Sequence, residues 1–360
     1  MLVMNKYQPL LLVGLFLIVV LTFNSIILTF AWKSLLKLSD YRYDSKKLED
    51  LRYFALSKIN DDRKKYNLPP LILSNNTAAQ IHANEILRTK SLSHLTLDGY
   101  KPYMLYSFYN GTGYVQQNVG QISYVLANNS QGYYTVSDQC YDETKFYCPV
   151  IDQYDAISNL EHSMMYNDKL CCNDGHRNNI LNKYHTHVSI GIAYNDYYFV
   201  MVQNFENHYL GPNFKIMKED DDIKLEARIS DPDKFDFVIN HVSFFLDEFP
   251  TKLHYEKNRD KNSYDFGDLK LMVSKPLPSD LEYIQEKEGD TYKIIEAKKW
   301  ELKEGDINLE FQIPETLDVK DKILTMVVYA QTVDTEGDIS DEISNDYVPL
   351  TSYTFFNSQS

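Results

Sequence analysis

Two histidines stand in settings where side chains could do chemistry: His94 in Ser93-His94-Leu95, and His176 in Gly175-His176-Arg177-Asn178-Asn179-Ile180-Leu181. Neutral imidazoles bind divalent metals, and a pair of them leaves coordination positions open for water or ligand. The two lie 82 residues apart, far beyond a local zinc spacing, so only the fold can bring them together. The alternative is that both serve packing and hydrogen bonding. Glu161 and Asp168 lie two turns apart on one face of a predicted helix. His82, mid-helix beside Ala83, reads as a packing residue. Four cysteines, Cys140, Cys148, Cys171 and Cys172, fall within 33 residues. Cys171 and Cys172 could join His176 in a thiolate–imidazole metal site, but disulfides in an oxidising compartment are favoured. A bond between adjacent cysteines would be strained, so Cys171 and Cys172 are expected to pair with Cys140 or Cys148. Gly175 is expected to turn the backbone tightly ahead of His176, and Arg177 to hold the fold or meet a ligand.

The elements that must position these groups follow from periodicity. Leu48, Leu51, Ala55, Leu56 and Ile59 predict an amphipathic helix over 47–66, ending before Pro69-Pro70. A second helix is expected from Asn76, as N-cap, to Lys90. Residues 93–150, rich in Gly, Asn, Tyr and Ser, read as a long irregular region of the kind that carries function. A third helix over 153–168 leads into the turn Asn173-Asp174-Gly175 and a short helix. Residues 188–194 and 197–205 are β-branched and aromatic runs forming a hairpin around Asn195-Asp196. From Ile223 onward apolar residues alternate with polar ones, and roughly eight strands in the remaining length predict an antiparallel β-sandwich. Asp220-Asp221-Asp222 lacks a calcium-loop pattern and reads as solvated acidic surface.

Several motifs in order resemble the CAP superfamily, shared by cysteine-rich secretory proteins, antigen 5 and plant pathogenesis-related proteins, in its bacterial and archaeal form. They are Arg63-Lys64-Lys65-Tyr66-Asn67-Leu68-Pro69-Pro70-Leu71, Ala79-Gln80-Ile81-His82-Ala83 ahead of Ser93-His94, and Asp98-Gly99-Tyr100-Lys101-Pro102-Tyr103-Met104. Gln117-Asn118-Val119-Gly120, the Gly175-His176 element and the hairpin through Gln203-Asn204-Phe205 complete the set. The resemblance implies an α+β domain, a CAP-type α-β-α sandwich over 45–210 with a central cavity, outside the cytoplasm. It places His94, Gln117, Glu161 and His176 in that cavity, with His94 and His176 as ligands of zinc or another divalent metal. Gln117 stands where the family carries Glu, which weakens a hydrolytic reading; Glu161 is preferred as the remaining catalytic acid, with Asp168 as the alternative.

Composition and charge frame the rest. Residues 10–32 carry no charge and predict a transmembrane helix of about 34 Å, so 1–34 is read as an uncleaved membrane anchor rather than a cleaved signal. Lys33, Lys37, Arg42, Lys46 and Lys47 after the span argue for a cytoplasmic C-terminal side; the acceptor triplets at Asn75, Asn110 and Asn128, the cysteines and the resemblance argue for the outside. The chain holds 36 basic against 51 acidic side chains, and the whole deficit lies in 215–360, where 18 basic face 33 acidic residues. That shift marks a second domain over 215–360, an all-β immunoglobulin-like sandwich, and a net charge of −15 excludes nucleic acid as a partner held by bulk electrostatics. The expectation is a membrane-anchored binding module for lipid, peptide or glycan, with a cell-surface partner possible. A metal-dependent hydrolase or peptidase using the two histidines is the alternative.

Overall fold

The computed structural model describes residues 44–127, 134–136, 141–142, 145–146, 149–211, 213–230, 237–281, 292–319, 321–332 and 347–356. The predicted membrane segment at 10–32 lies outside them; among the described residues no helix is long and apolar enough to cross a membrane. Two units divide the chain, Met1–Leu48 and Glu49–Ser360.

In chain order the helices are α1 (Ser45–Lys65), α2 (Ala78–Thr89), α3 (Pro102–Phe108), α4 (Gln153–Tyr166), α5 (Lys169–Cys172), α6 (Gly175–Leu181) and α7 (Lys252–Asn258). The strands of the first half are β1 (Ile72–Leu73), β2 (Tyr114–Ser123), β3 (Val125–Ala127), β4 (Tyr134–Val136), β5 (Tyr141–Asp142), β6 (Lys145–Phe146), β7 (His187–Tyr194) and β8 (Tyr198–Asn207). The irregular region expected at 93–150 thus contains α3 and the ten-residue strand β2. Pro102 at the first helical position starts α3, and β2 is hidden in the sequence because it buries the polar pair Gln117-Asn118, against the apolar pattern by which strands are read.

The central sheet runs in the order β1-β7-β8-β2. β7 and β8 form the antiparallel hairpin, β2 pairs antiparallel to β8, and β1 adds a parallel edge. Alternation along the strands sends neighbouring residues to opposite faces. Gln117 and Asn204 reach towards His82 of α2, whereas Asn118 and Gln203 lead to Glu161 of α4. Helices therefore cover both faces, the α-β-α arrangement expected. The approach is close. A Cβ at Gly191 of β7 would lie 2.1 Å from the Ala79 carbonyl oxygen of α2, so the helix backbone rests directly on the sheet.

The second half contributes β9 (Lys215–Glu219), β10 (Asp222–Arg228), β11 (Phe237–Glu248), β12 (Asp268–Ser274), β13 (Lys293–Glu296), β14 (Lys299–Lys303), β15 (Asp306–Gln312), β16 (Lys322–Thr332) and β17 (Tyr347–Phe355). One sheet is ordered β14-β15-β10-β9 and the other β13-β12-β11-β16-β17. Ile223, Leu225, Ile307, Leu309 and Phe311 of the first share one core with Val242, Phe244, Val273, Met326 and Val328 of the second, which is a sandwich. It departs from the fully antiparallel expectation at one pair, because β12 and β13 run parallel. Tyr209 and Leu210 already belong to this core.

A separate apolar cluster joins the halves. Tyr103, Met104, Leu105 and Tyr106 of α3 and Val115 of β2 bury against Ile323 of β16, with Phe249, Tyr264, Phe266 and Phe356 around them. Beside it the buried Lys101 ammonium lies 2.6 Å from Asp247 and 2.7 Å from Asp265, and the Tyr103 hydroxyl donates to Asp247.

Candidate functional site

Helix α2 ends at Lys90, whose left-handed backbone (φ 57°) turns the chain away and delivers His94 to the mouth of the sheet. His94 Nδ1 donates to Gln117 Oε1 at 3.0 Å. The Gln117 amide nitrogen donates in turn to Asn204 Oδ1 at 3.1 Å and to His82 Nδ1 at 3.3 Å. Burial lowers the pKa of His94 to about 4 and that of His82 to about 3, so both rings are neutral at pH 7. With its Nδ1 proton engaged by Gln117, the His94 ring is also held against the backbone of Asn262. His82, read as packing, is thus linked to the site through the same amide.

His176 is placed by a second device. Asp168 Oδ1 accepts from His176 Nδ1 at 2.7 Å, while its Oδ2 accepts from the backbone N–H groups of His176 and Arg177 at 2.8 and 3.1 Å. One carboxylate therefore caps the first turn of α6 and orients the imidazole on it. The tight turn before α6 is made by Asn173 (φ 50°) and Asp174 (φ 62°). Gly175, expected to supply that turn, has no left-handed backbone and begins the helix; short polar side chains tolerate the conformation. Asn118 Nδ2 donates to the His176 carbonyl at 3.1 Å and its Oδ1 accepts from Asn179 at 2.9 Å, which fixes α6 to β2. Arg177 serves the fold, donating to the Met165 carbonyl and the Tyr66 hydroxyl. Arg63, fully buried, reaches the carbonyls of Pro69, Ile180 and Asn182 and ties α1 to the chain leaving α6.

His94 and His176 line the same two connected depressions, of about 290 and 410 Å³. Gln117 lines the first and Asp168 the second. Glu161, the acid preferred from sequence, lines neither. It lies buried under the sheet, where Gln203 Nε2 donates to it at 2.8 Å and burial raises its pKa to about 8. The carboxylate in contact with a site histidine is that of Asp168, because α4 ends at Tyr166 and the following turn folds Asp168 back over α6.

The expected pairing of Cys171 and Cys172 with Cys140 or Cys148 is corrected: Cys171 and Cys172 are bonded to one another. They sit in the short helix α5 and line the larger depression. Cys140 and Cys148 lie outside the described residues. Among the described residues, the group of His, Cys, Asp and Glu able to hold a metal is Asp168, Cys171, Cys172 and His176, with ligand atoms within 4.8 Å of one another.

The sequence held no signal for the remaining wall, which comes from the sandwich. The segment after α7 crosses the mouth: the Tyr264 hydroxyl accepts from the Gln117 backbone N–H at 2.9 Å, its ring lies 5.2 Å from that of His94, and Asn262 Nδ2 donates to the Cys171 carbonyl at 3.2 Å. Arg259, Asp260 and Lys261 line the larger depression.

Comparison with known proteins bears on this arrangement. Residues 56–205 match the model of the cysteine-rich secretory protein family, CAP. A solved structure that matches is an extracellular protein containing an SCP domain from Bacillus anthracis str. Ames, with 16% identity, a TM-score of 0.30, and coverage of 47% of this chain and 45% of that one. The match thus spans less than half of that protein's length. No curated protein matches the chain. The matched segment contains β2, α4, α6, β7, most of β8 and both site histidines, and it identifies residues 56–205 as a CAP domain.

Proposed function

We propose that the protein is an extracytoplasmic binding module, anchored by residues 10–32, whose cavity receives a peptide or glycan between the CAP domain and the sandwich. The observation that carries this reading is the commitment of the acids expected to act beside the histidines. Gln117 replaces an acid with an amide that is fully used by His94, His82 and Asn204; Asp168 caps α6; Glu161 is enclosed elsewhere. Hydrolysis needs a base free to take a proton from the attacking water, whereas binding needs donors, acceptors and apolar faces. Gln116, Asn179, Asn262 and Ser263 beside Tyr114, Tyr264 and Phe266 supply those. Such amides and aromatic faces suit amide or sugar hydroxyl groups better than an acyl chain.

The two imidazoles also fit a divalent cation. Their Nδ1 atoms are held by Gln117 and Asp168, leaving the Nε2 atoms of His94 and His176 to hold zinc or a similar ion, with Gln117 and Asp168 orienting the rings. Such an ion would supply electrophilic attraction for a carbonyl or hydroxyl oxygen. A metal-dependent hydrolase is favoured by the Asp168–His176 pair alone. Zinc calorimetry on the full-length chain decides the metal: binding is expected, and its loss is expected in both His94→Ala and His176→Ala. A peptide and glycan panel assayed for binding and cleavage decides the activity. Capture without turnover supports the module, and turnover by the native chain would replace it with the hydrolase.

A further inference from the structure

The bonded pair Cys171–Cys172 faces Asp168 and His176 at the edge of the larger depression. The sulfurs, the carboxylate and the imidazole lie within 4.8 Å of one another, and Cys171 Sγ is 3.7 Å from Asp168 Oδ1. A tetrahedral cation with sulfur ligands at about 2.3 Å and nitrogen or oxygen ligands at about 2.0 Å needs ligand atoms about 3.3–3.8 Å apart. The set is the right size for one soft divalent cation, and the obstacle is the bond between the sulfurs.

We infer that Cys171, Cys172, His176 and Asp168 form a redox-gated site for zinc or a similar thiophilic divalent cation, closed while the disulfide is intact. An external dithiol opens it, giving two electrons and two protons to the disulfide and becoming a disulfide itself. Two thiols result, and cation binding releases their protons to water as two sulfur–metal bonds form. The location supports access, since Cys171 is exposed, Cys172 is half-buried, and the depression opens beside them. Asp168 is already held by two backbone N–H groups, so one ligand is preorganised before the cation arrives. The site shares His176 with the two-histidine reading but does not use His94, so His94→Ala tells the two apart.

Cobalt(II) added to the full-length chain, before and after reduction by a phosphine, tests this. The reduced chain is expected to show a sulfur-to-cobalt charge-transfer band, displaced by zinc, with affinity at least 100-fold above that of the oxidised chain. The band should vanish in Cys171→Ser and Cys172→Ser and survive in His94→Ala, whereas loss of binding in His94→Ala by the oxidised chain would concern only the two-histidine site. A reduced chain without the band, or a band lost in Cys140→Ser and Cys148→Ser but kept in the Cys171 and Cys172 variants, overturns the inference. Alkylation of the unsubstituted reduced chain gives a check that needs no variant: zinc should protect Cys171 and Cys172 from iodoacetamide, and unprotected thiols would equally overturn it.

Discussion

Gln117 decides the chemistry of the cavity at the scale of one residue. Its oxygen accepts from His94 and its nitrogen donates to His82 and Asn204, a split of roles that only an amide can fill. In Gln117→Glu a carboxylate would face two buried imidazoles. The anion favours their charged forms, so the pKa values of His94 and His82 should rise from about 4 and about 3, readable from ring resonances in an NMR pH titration; unchanged values would refute this account of the cluster. Stability should fall by about 1–3 kcal/mol as the donations to His82 and Asn204 are lost, measured by urea unfolding. The family motif made position 117 legible in the sequence. The amide's three partners were not, since they come from three different elements.

Among the elements, α2 and α6 do the positioning by opposite means. Backbone contact with the sheet at Gly191 sets the depth of α2, and Gly191→Ala forces the helix outward or the strand aside. Overpacking of this kind costs about 1–3 kcal/mol. Because His82 rides on α2, the variant should also weaken the Gln117–His82 contact; a crystal structure with α2 unmoved would contradict this. Helix α6 is held from outside by Asp168 and by Asn118, which accepts from Asn179 of the helix. The hairpin and both long helices were visible in periodicity, with ends displaced by a residue or two. Strand β2 was not, because it buries amides instead of alternating apolar residues.

At the scale of the whole molecule the sandwich completes the site. Lys101, Tyr103, Asp247 and Asp265 fasten the segment carrying Asn262 and Tyr264. Asp247→Ala leaves a buried ammonium with only the exposed Asp265 opposite it. Breaking a buried pair costs about 3–5 kcal/mol, and the second partner places the expected loss near the lower end. The same variant should loosen Tyr264 over His94, seen as faster proteolysis between residues 259 and 266. Stability should also vary with pH in a stated direction. His82, His94 and His185 titrate at about 3, 4 and 4 in the fold, below the ordinary histidine value of 6.5. The unfolded chain therefore binds more protons, and stability should fall as pH drops from about 6.5 towards 4. Glu161 acts oppositely. Its folded pKa of about 8 lies above the carboxylate value of 4.5, so its contribution is complete below about 4.5 and is lost as pH rises through 8. Glu161→Gln should flatten that alkaline limb and leave the acid limb in place, measured as urea midpoints across pH 4 to 9; an unchanged alkaline limb would show that Glu161 is not the group responsible.

The sequence by itself determined the CAP domain, the change to alternating strands after residue 215, and the identity of His94, Gln117 and His176, because local periodicity and motif order are properties of the chain. Tertiary structure alone decided which acid meets His176, since Glu161 and Asp168 lie on one helical face in sequence but the break after Tyr166 separates them. It alone decided the bond between Cys171 and Cys172. It also brought Asn262 and Tyr264 across the cavity from more than 80 residues further along the chain. Such contacts depend on how two differently patterned halves of the chain pack, and no short-range feature of either half encodes that packing.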